Sequence, residues 1–113
     1  MDFQIYDLVL VNFPYTDLSS VKKRPALVLN NLEGQNIIVC QITTKRHSLK
    51  KYEVFLKKDS CEGDIRFDSY IYLDLLATLH KNQIVKKIGR IKNVETKKEI
   101  NNKLSLLLLD TQN

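Results

Sequence analysis

The feature that most restricts the fold of this chain is a series of short β-type runs followed by one segment with the periodicity of an α-helix. The runs are rich in β-branched and aromatic residues, and the segments between them contain residues typical of turns. In chain order the runs cover residues 6–13, 26–29, 36–44, 52–57, 69–73 and 85–91. Short strands at such close spacing are typical of a small, mainly antiparallel β-barrel.

Alternation within the runs predicts which side chains share a face of the sheet. In residues 6–13 both alternate sets are largely apolar, so we expect both faces of that strand to be covered. In residues 52–57, Val54 belongs to one face, whereas Glu53 and Phe55 belong to the other. Residues 79–83 are expected to form a short turn between the last two strands.

The final segment has a helical pattern instead. Asn93 is a suitable N-cap residue because its side chain can accept a hydrogen bond from the first helical turn. Apolar residues then recur at the spacing of one helix face, at Ile100, Leu104, Leu107 and Leu108. We expect this helix to pack its leucine face on the barrel, within one domain that covers residues 1–113.

The composition excludes several other classes of protein. A hydrophobic fraction of 43% with only 3 Gly and 2 Pro argues against a disordered chain. The longest apolar run, residues 104–109 with Ser105 inside it, is too short to cross a bilayer, and residues 1–3 do not begin the basic, then apolar pattern expected of a secretory leader. A cytoplasmic protein without a membrane partner is therefore expected.

Cysteine and histidine are too sparse for a disulfide framework or a closed metal site. Cys40 and Cys61 form no Cys-x-x-Cys pair, and His47 and His80 are far apart in the chain. Cys40 lies within an apolar run and is expected in the core. We therefore predict no metal and no cofactor.

The net charge of +5 is unevenly distributed. Residues 1–44 carry three basic and four acidic side chains, whereas residues 45–113 carry fifteen and nine. Residues 45–58 alone hold six bases and one acid. This clustering fits a polyanionic partner such as nucleic acid, and it equally fits a solvated lysine-rich surface, so charge alone leaves both interpretations open.

The specific signal is an ordered set of motifs. Phe-Pro-Tyr-Thr-Asp at residues 13–17 precedes Arg-Pro-Ala-Leu-Val at 24–28, a strand closing on Ile-Thr at 42–43 follows, and further strand segments lie at 69–71 and 85–91. In this order the motifs resemble the PemK/MazF family of toxin endoribonucleases from type II toxin–antitoxin modules. The resemblance implies a Src-homology-3-like barrel, the fold shared by CcdB, MazF and PemK toxins, with a C-terminal helix.

The resemblance also implies a catalytic pair, Arg24 and Thr43. In a metal-free ribonuclease the substrate's own 2′-hydroxyl attacks the phosphate, so the protein must neutralise charge on the phosphoryl oxygens and help to move protons. The planar guanidinium of Arg24 suits the first task, and Pro25 restricts the backbone beside it. Thr43 can donate from a strand end. Thr44 is the alternative donor, because a shift of one residue in register exchanges the two faces.

Two loops are predicted to contact RNA. The first is residues 16–23, which correspond to a loop that covers the RNA groove in the family. The second is residues 45–51, a basic segment of this chain that directly follows Thr43 and Thr44. His47 in the second loop is a candidate proton carrier, although an exposed histidine without such a role is the commoner case. The expected RNA-binding residues are Thr16, Asp17, Ser19, Ser20, Lys22, Lys23, Lys45, Arg46, Lys50 and Lys51.

The chain departs from the family pattern at one place. Many relatives carry an Arg-Thr-Ile-Asp type segment where this chain has Ala77-Thr78-Leu79-His80, so both charges are missing. Thr78 keeps the hydroxyl, and His80 is a candidate replacement for the acid. An altered cleavage preference, or weak or absent activity, is the other interpretation.

The resulting hypothesis is a toxin that cleaves single-stranded RNA, including mRNA, with sequence selectivity and without a metal. The resemblance further implies a homodimer with RNA across the dimer face, and a cognate antitoxin that blocks the groove. One alternative is a barrel of the same fold that binds RNA or a protein without cutting. A weaker alternative is a CcdB-like gyrase inhibitor, which is disfavoured because residues 109–113 contain no aromatic side chain.

Overall fold

The computed structural model of the protein describes residues 2–14, 21–45 and 51–109. Within these ranges one antiparallel sheet of seven strands is followed by one α-helix, which confirms the predicted fold class. The strands are β1 (Asp7–Pro14), β2 (Val21–Asn31), β3 (Asn36–Thr43), β4 (Glu53–Leu56), β5 (Cys61–Gly63), β6 (Ser69–His80) and β7 (Ile84–Ile91). The helix α1 covers Val94–Leu109, and short 3₁₀ turns at Lys58–Ser60 and Lys81–Gln83 precede β5 and β7.

The sheet is covered on both faces, as the alternation in β1 predicts. The strand order is β4-β6-β3-β2-β1-β7-β5. Leu8 pairs with Leu27, and both belong to an apolar cluster on one face that also contains the buried Cys40. Val9 pairs with Ala26, and both belong to a second cluster on the other face. Apolar side chains on both faces of the sheet are therefore removed from water.

The sheet is strongly curled. Val54 on the terminal strand β4 and Ile91 on β7 lie near opposite edges of the sheet, yet both belong to the first cluster. A flat sheet cannot bring these strands together, whereas a curled one closes around a common core. Ile100 of α1 is fully buried in the same cluster, so the helix covers this face of the barrel.

The N-cap of α1 is confirmed, since the side-chain oxygen of Asn93 accepts a hydrogen bond from the Thr96 N–H at 2.9 Å. Leu104 and Leu107 pack on the core, as expected. Leu108 does not, because it is 62% exposed. Its position lies about 80° around the helix from Ile100, at the margin of the apolar stripe.

Two strands are longer than the sequence predicts, and β5 was not predicted. Strand β2 begins at Val21 because Lys22 and Lys23 pair with β1 while their side chains stay exposed. Strand β6 continues beyond residue 73 through an irregularity in its pairing with β3 and ends at His80, inside the predicted turn. The exposed lysines of β2 and the pairing irregularity of β6 both interrupt the alternation that predicts a strand.

Candidate active site

A groove of about 470 Å³ opens where β2 and β3 meet at one end of the sheet. The β2–β3 register pairs Ala26 with Gln41. Arg24 and Thr43 each lie two residues from this pair along their own strands, so both side chains project to the face that Ala26 and Gln41 share. The lining residues are Lys22, Lys23, Arg24 and Pro25 from β2, followed by Ile42, Thr43 and Thr44. The two residues predicted to act as a pair therefore share one groove.

Arg24 is held by its position in the middle of the sheet. It pairs with Val11 of β1, which is fully buried in the second cluster. Paired residues on adjacent strands share a face, so the aliphatic part of Arg24 lies beside an apolar neighbour while the residue as a whole stays partly exposed. Pro25 alternates to the opposite face. This arrangement restricts the stem of Arg24, whose Nε is buried while the residue lines the groove.

Thr43 is the last residue of β3, and its hydroxyl is oriented by the turn that follows. The Thr43 Oγ1 accepts a hydrogen bond from the Lys45 N–H at 3.0 Å. A hydroxyl that accepts in this way retains its own proton for donation to another group. Thr44 lies just beyond the strand and is exposed. Alternation along β3 places Thr43 on the sheet face of Arg24, while both threonines line the groove.

The turn after Thr43 is also fastened from β6. The buried Tyr72 donates a hydrogen bond from its hydroxyl to the carbonyl oxygen of Lys45. Tyr72 pairs with Gln41 of β3 on one side and with Glu53 of β4 on the other. Glu53 is only 6% exposed, and it occupies the same sheet face as Phe55, as the alternation predicts. No local pattern in the chain predicts that Tyr72 contacts this turn, because the contact joins residues 27 positions apart.

The groove is electropositive on its open side. Lys22 and Lys23 line it and are exposed, and Lys45 is exposed directly after Thr44. Lys51 is exposed as well, with its ammonium 5.4 Å from the Tyr52 ring centroid. These charges can attract a phosphodiester backbone.

An apolar cleft of about 310 Å³ adjoins the groove at the same strand ends. It shares Pro25, Ile42 and Thr44 with the groove, and its further lining includes Leu56 and Phe67. Two charged residues, Asp64 and Arg66, also line this cleft, and they form an ion pair with each other at 3.1 Å.

Thr78 and His80 lie at the opposite end of the sheet. They pair with Ile38 and Asn36, near the start of β3, whereas Thr43 ends that strand. Seven residues of extended chain separate Asn36 from Thr43, a distance of about 23 Å. The His80 Nδ1 accepts a hydrogen bond from the Asn82 N–H at 3.0 Å and caps the 3₁₀ turn. Within one chain, neither residue joins Arg24 and Thr43.

Seven of the predicted site residues lie outside the described part of the chain. They are Thr16, Asp17, Ser19, Ser20, Arg46, His47 and Lys50.

The cysteines are poorly suited to nucleophilic chemistry at neutral pH. Burial raises the pKa of the Cys40 thiol far above its ordinary value. Burial also raises the pKa of Cys61, to about 11. Across residues 2–14, 21–45 and 51–109, no three His, Cys, Asp or Glu side chains cluster so as to hold a metal ion.

The fold and the groove define a small β-barrel protein with a lysine- and arginine-lined groove where β2 and β3 meet. The chain belongs to the family of PemK-like, MazF-like toxins of type II toxin–antitoxin systems, whose family profile matches residues 4–108. No relative was found among curated proteins. No helix in the described ranges is both long and apolar enough to span a membrane.

Solved structures with the same fold include three toxins. An endoribonuclease in complex with its cognate antitoxin, from a mycobacterial species, is 17% identical with a TM-score of 0.73, covering 95% of both chains. A MazE–MazF complex from Deinococcus radiodurans is 21% identical with a TM-score of 0.73, covering 95% of this chain and 97% of that one. MazF alone from the same organism is 23% identical with a TM-score of 0.69, covering 95% and 98%.

Proposed function

We propose that this toxin is a metal-independent endoribonuclease that cleaves single-stranded RNA, including mRNA, with sequence selectivity. The observation that carries the proposal is the shared groove of Arg24 and Thr43, bordered by Lys22 and Lys23. A guanidinium, a hydroxyl donor and flanking ammonium groups match the charge and the hydrogen-bonding capacity of a phosphodiester. Membership of the toxin family supports the same function.

In the proposed reaction the 2′-oxygen of the substrate attacks the adjacent phosphorus. The bond from the 2′-oxygen to phosphorus forms as the bond from phosphorus to the 5′-oxygen breaks, which leaves a 2′,3′-cyclic phosphate and a 5′-hydroxyl. The 2′-hydroxyl loses its proton, and the departing 5′-oxygen gains one. Arg24 stabilises the charge that develops on the phosphoryl oxygens and assists proton transfer, while Thr43 donates a hydrogen bond to one of them.

The first test is cleavage of a mixed-sequence single-stranded RNA by purified protein in EDTA. Wild-type protein should cut it, and Arg24→Ala should reduce the rate at least 100-fold, the usual scale for loss of a group that stabilises developing charge. Arg24→Lys should also lose most activity, because an ammonium cannot make the bidentate contact. Absence of cleavage by the wild type, or equal cleavage by Arg24→Ala, would overturn the proposal.

The roles of the two threonines can be separated by matched variants. Thr43→Val and Thr44→Val each replace a hydroxyl by a methyl group of similar shape. Since Thr43 shares a face with Arg24, its variant should lower kcat by a larger factor than the Thr44 variant does. The reverse ranking would assign the donor role to Thr44.

The partners proposed are a second copy of this chain and a cognate antitoxin, in the cytoplasm. Two of the similar structures are toxin–antitoxin complexes, which supports an antitoxin for this chain. Leu76 and Leu108 are large exposed apolar residues that line a cleft of about 360 Å³ between the sheet and α1, and Leu75 is exposed as well. Self-association covers surfaces of this kind. Light scattering should give a dimer mass that Leu108→Lys reduces.

A second candidate is a barrel of this fold that binds RNA or a protein without cutting. It is favoured by Ala77 and His80, which stand where many relatives carry charged residues. RNA bound tightly by the wild type and recovered intact after long incubation would select this function over the first.

A further inference from the structure

An aromatic pair lies next to Thr43 on the same face of the sheet. Thr43 of β3 pairs with Tyr70 of β6, and Tyr70 pairs in turn with Phe55 of β4. Residues in one such row project to the same side, with neighbouring Cβ atoms about 5 Å apart. The row therefore extends from the proposed catalytic hydroxyl to the Phe55 ring over roughly 10 Å, or two strand spacings.

The two rings pack against each other, and Phe55 faces solvent. Their centroids are 5.3 Å apart with an angle of 41° between the ring planes. Phe55 is 43% exposed and Tyr70 is half-buried, and neither ring belongs to the two apolar clusters of the described core. The exposed part of the Phe55 ring presents an aromatic surface that a ligand can contact.

The strands beneath the rings are firmly packed. The adjacent row, Ile42, Ile71 and Val54, projects to the opposite face and is buried in the first cluster. The backbone positions of Tyr70 and Phe55 are consequently set by the core, so a ligand would meet a largely preformed surface. Lys57 and Lys58 are exposed just beyond β4 and add positive charge beside it.

We propose that Tyr70 and Phe55 form a stacking platform for the base of a nucleotide that neighbours the scissile phosphate. This inference rests on the proposed function, which places that phosphate at Arg24 and Thr43. Aromatic faces stack on any base, and the flanking lysines hold the backbone, as in other single-strand binding surfaces. The pair thereby contributes to substrate affinity rather than to the chemical step.

The platform can be observed without relying on cleavage. The chain contains no tryptophan, so Phe55→Trp introduces a single tryptophan, which can be excited separately from the five tyrosines. Titration with a 2′-O-methyl single-stranded RNA, which lacks the attacking hydroxyl, should quench this fluorescence in a saturable manner. Val94→Trp is the matched control, because Val94 is exposed in the first turn of α1, outside this row. Absence of quenching at residue 55, or equal quenching in both variants, would overturn the platform.

Kinetic variants then test what the ring contributes. Phe55→Leu keeps an apolar side chain but removes the aromatic face, and it should raise KM about tenfold with kcat nearly unchanged. Phe55→Tyr restores the ring and should restore KM. A wild-type KM for Phe55→Leu would refute the proposal. A change in oligomeric mass without a change in RNA affinity would also refute it, and would identify Phe55 as part of a chain–chain contact.

The two experiments separate the platform from the proposed nuclease activity. RNA cleavage by the wild type without quenching in Phe55→Trp would contradict the platform alone. Saturable quenching by the methylated RNA with no cleavage of ordinary RNA would support the platform and contradict the nuclease proposal.

Discussion

The hydroxyl of Tyr72 donates a hydrogen bond to the carbonyl oxygen of Lys45, so β6 holds the turn that orients Thr43. The Lys45 N–H, on the same residue, donates to the Thr43 Oγ1 at 3.0 Å. Tyr72 thus acts on the groove through the backbone and is a positioning residue under the proposed mechanism. A loss of this bond should loosen the turn without opening the core.

Tyr72→Phe should therefore lower kcat about tenfold under the proposed function and destabilise the fold by about 1 kcal/mol, the usual contribution of one hydrogen bond. Tyr6→Phe is a matched control, because the buried Tyr6 also donates from its hydroxyl, to the Asn101 Oδ1 at 2.7 Å, but packs in the helix-covered core. It should show a similar stability loss in urea unfolding and keep the cleavage rate. Equal kinetic losses would contradict a local role for Tyr72.

Lys22 and Lys23 should contribute to RNA binding mainly through charge. Each contact with a phosphate of single-stranded RNA contributes about 0.7 to the slope of log K against log salt. Lys22→Ala and Lys23→Ala should each reduce the measured slope by about that amount. Lys98→Ala, which removes an exposed charge from α1, should leave the slope unchanged. A slope unaltered by all three variants would place the RNA elsewhere.

Asp7 should make stability depend on pH in the acid range. Burial raises its pKa, but hydrogen bonds from the Gln4 N–H at 2.8 Å, from Arg90 at 2.7 Å and from Lys87 outweigh burial and leave the pKa below its ordinary value. Because the folded-state pKa is lowered, the Asp7 carboxylate stabilises the fold at pH values above its unfolded-state pKa, near 4. This contribution is lost as the pH falls through the folded-state pKa.

Asp7→Asn should cost about 2 kcal/mol in urea unfolding at pH 7, and this difference from the wild type should narrow steadily below about pH 4. Asp64→Asn serves as the control, since Asp64 and its partner Arg66 are both exposed and their ion pair adds little. A difference for Asp7→Asn that stays constant between pH 7 and pH 3 would show that its carboxylate charge does not stabilise the fold.

Gly63 should tolerate no side chain where β5 pairs with β7. It has a φ of +105°, and a Cβ there would lie 2.5 Å from the Gly89 Cα and from the Ile88 carbonyl oxygen. Gly34 has a φ of +91° with open space around it. Gly34→Ala should cost about 1 kcal/mol from backbone strain alone, whereas Gly63→Ala should cost at least about 2 kcal/mol more, because β5 must shift. Thermal unfolding of both variants measures the difference, and similar costs would contradict the close approach.

The fold class was accessible from the chain because its signals are local. Alternation in β1, turn residues and the Asn93 cap each depend on neighbouring residues, so a barrel with one terminal helix follows from them. The strand ends were less accessible, since β2 is prolonged by pairing with β1 while its lysines remain in water. The exposure of Leu108 was not accessible either, because helical spacing predicts which side chains form an apolar stripe but not where the sheet beneath that stripe ends.

Arg24 and Thr43 could be selected from sequence because each lies within a recognisable motif. Their shared groove, and the position of Tyr70, Tyr72 and Phe55 beside it, depend on which strands pair and in what register. Those pairings join residues distant in the chain and are set by burial of the whole core. For the same reason only the folded sheet places Thr78 and His80 at the far end of β3. Local chemistry determined which residues could act, and long-range strand registration decided which of them meet.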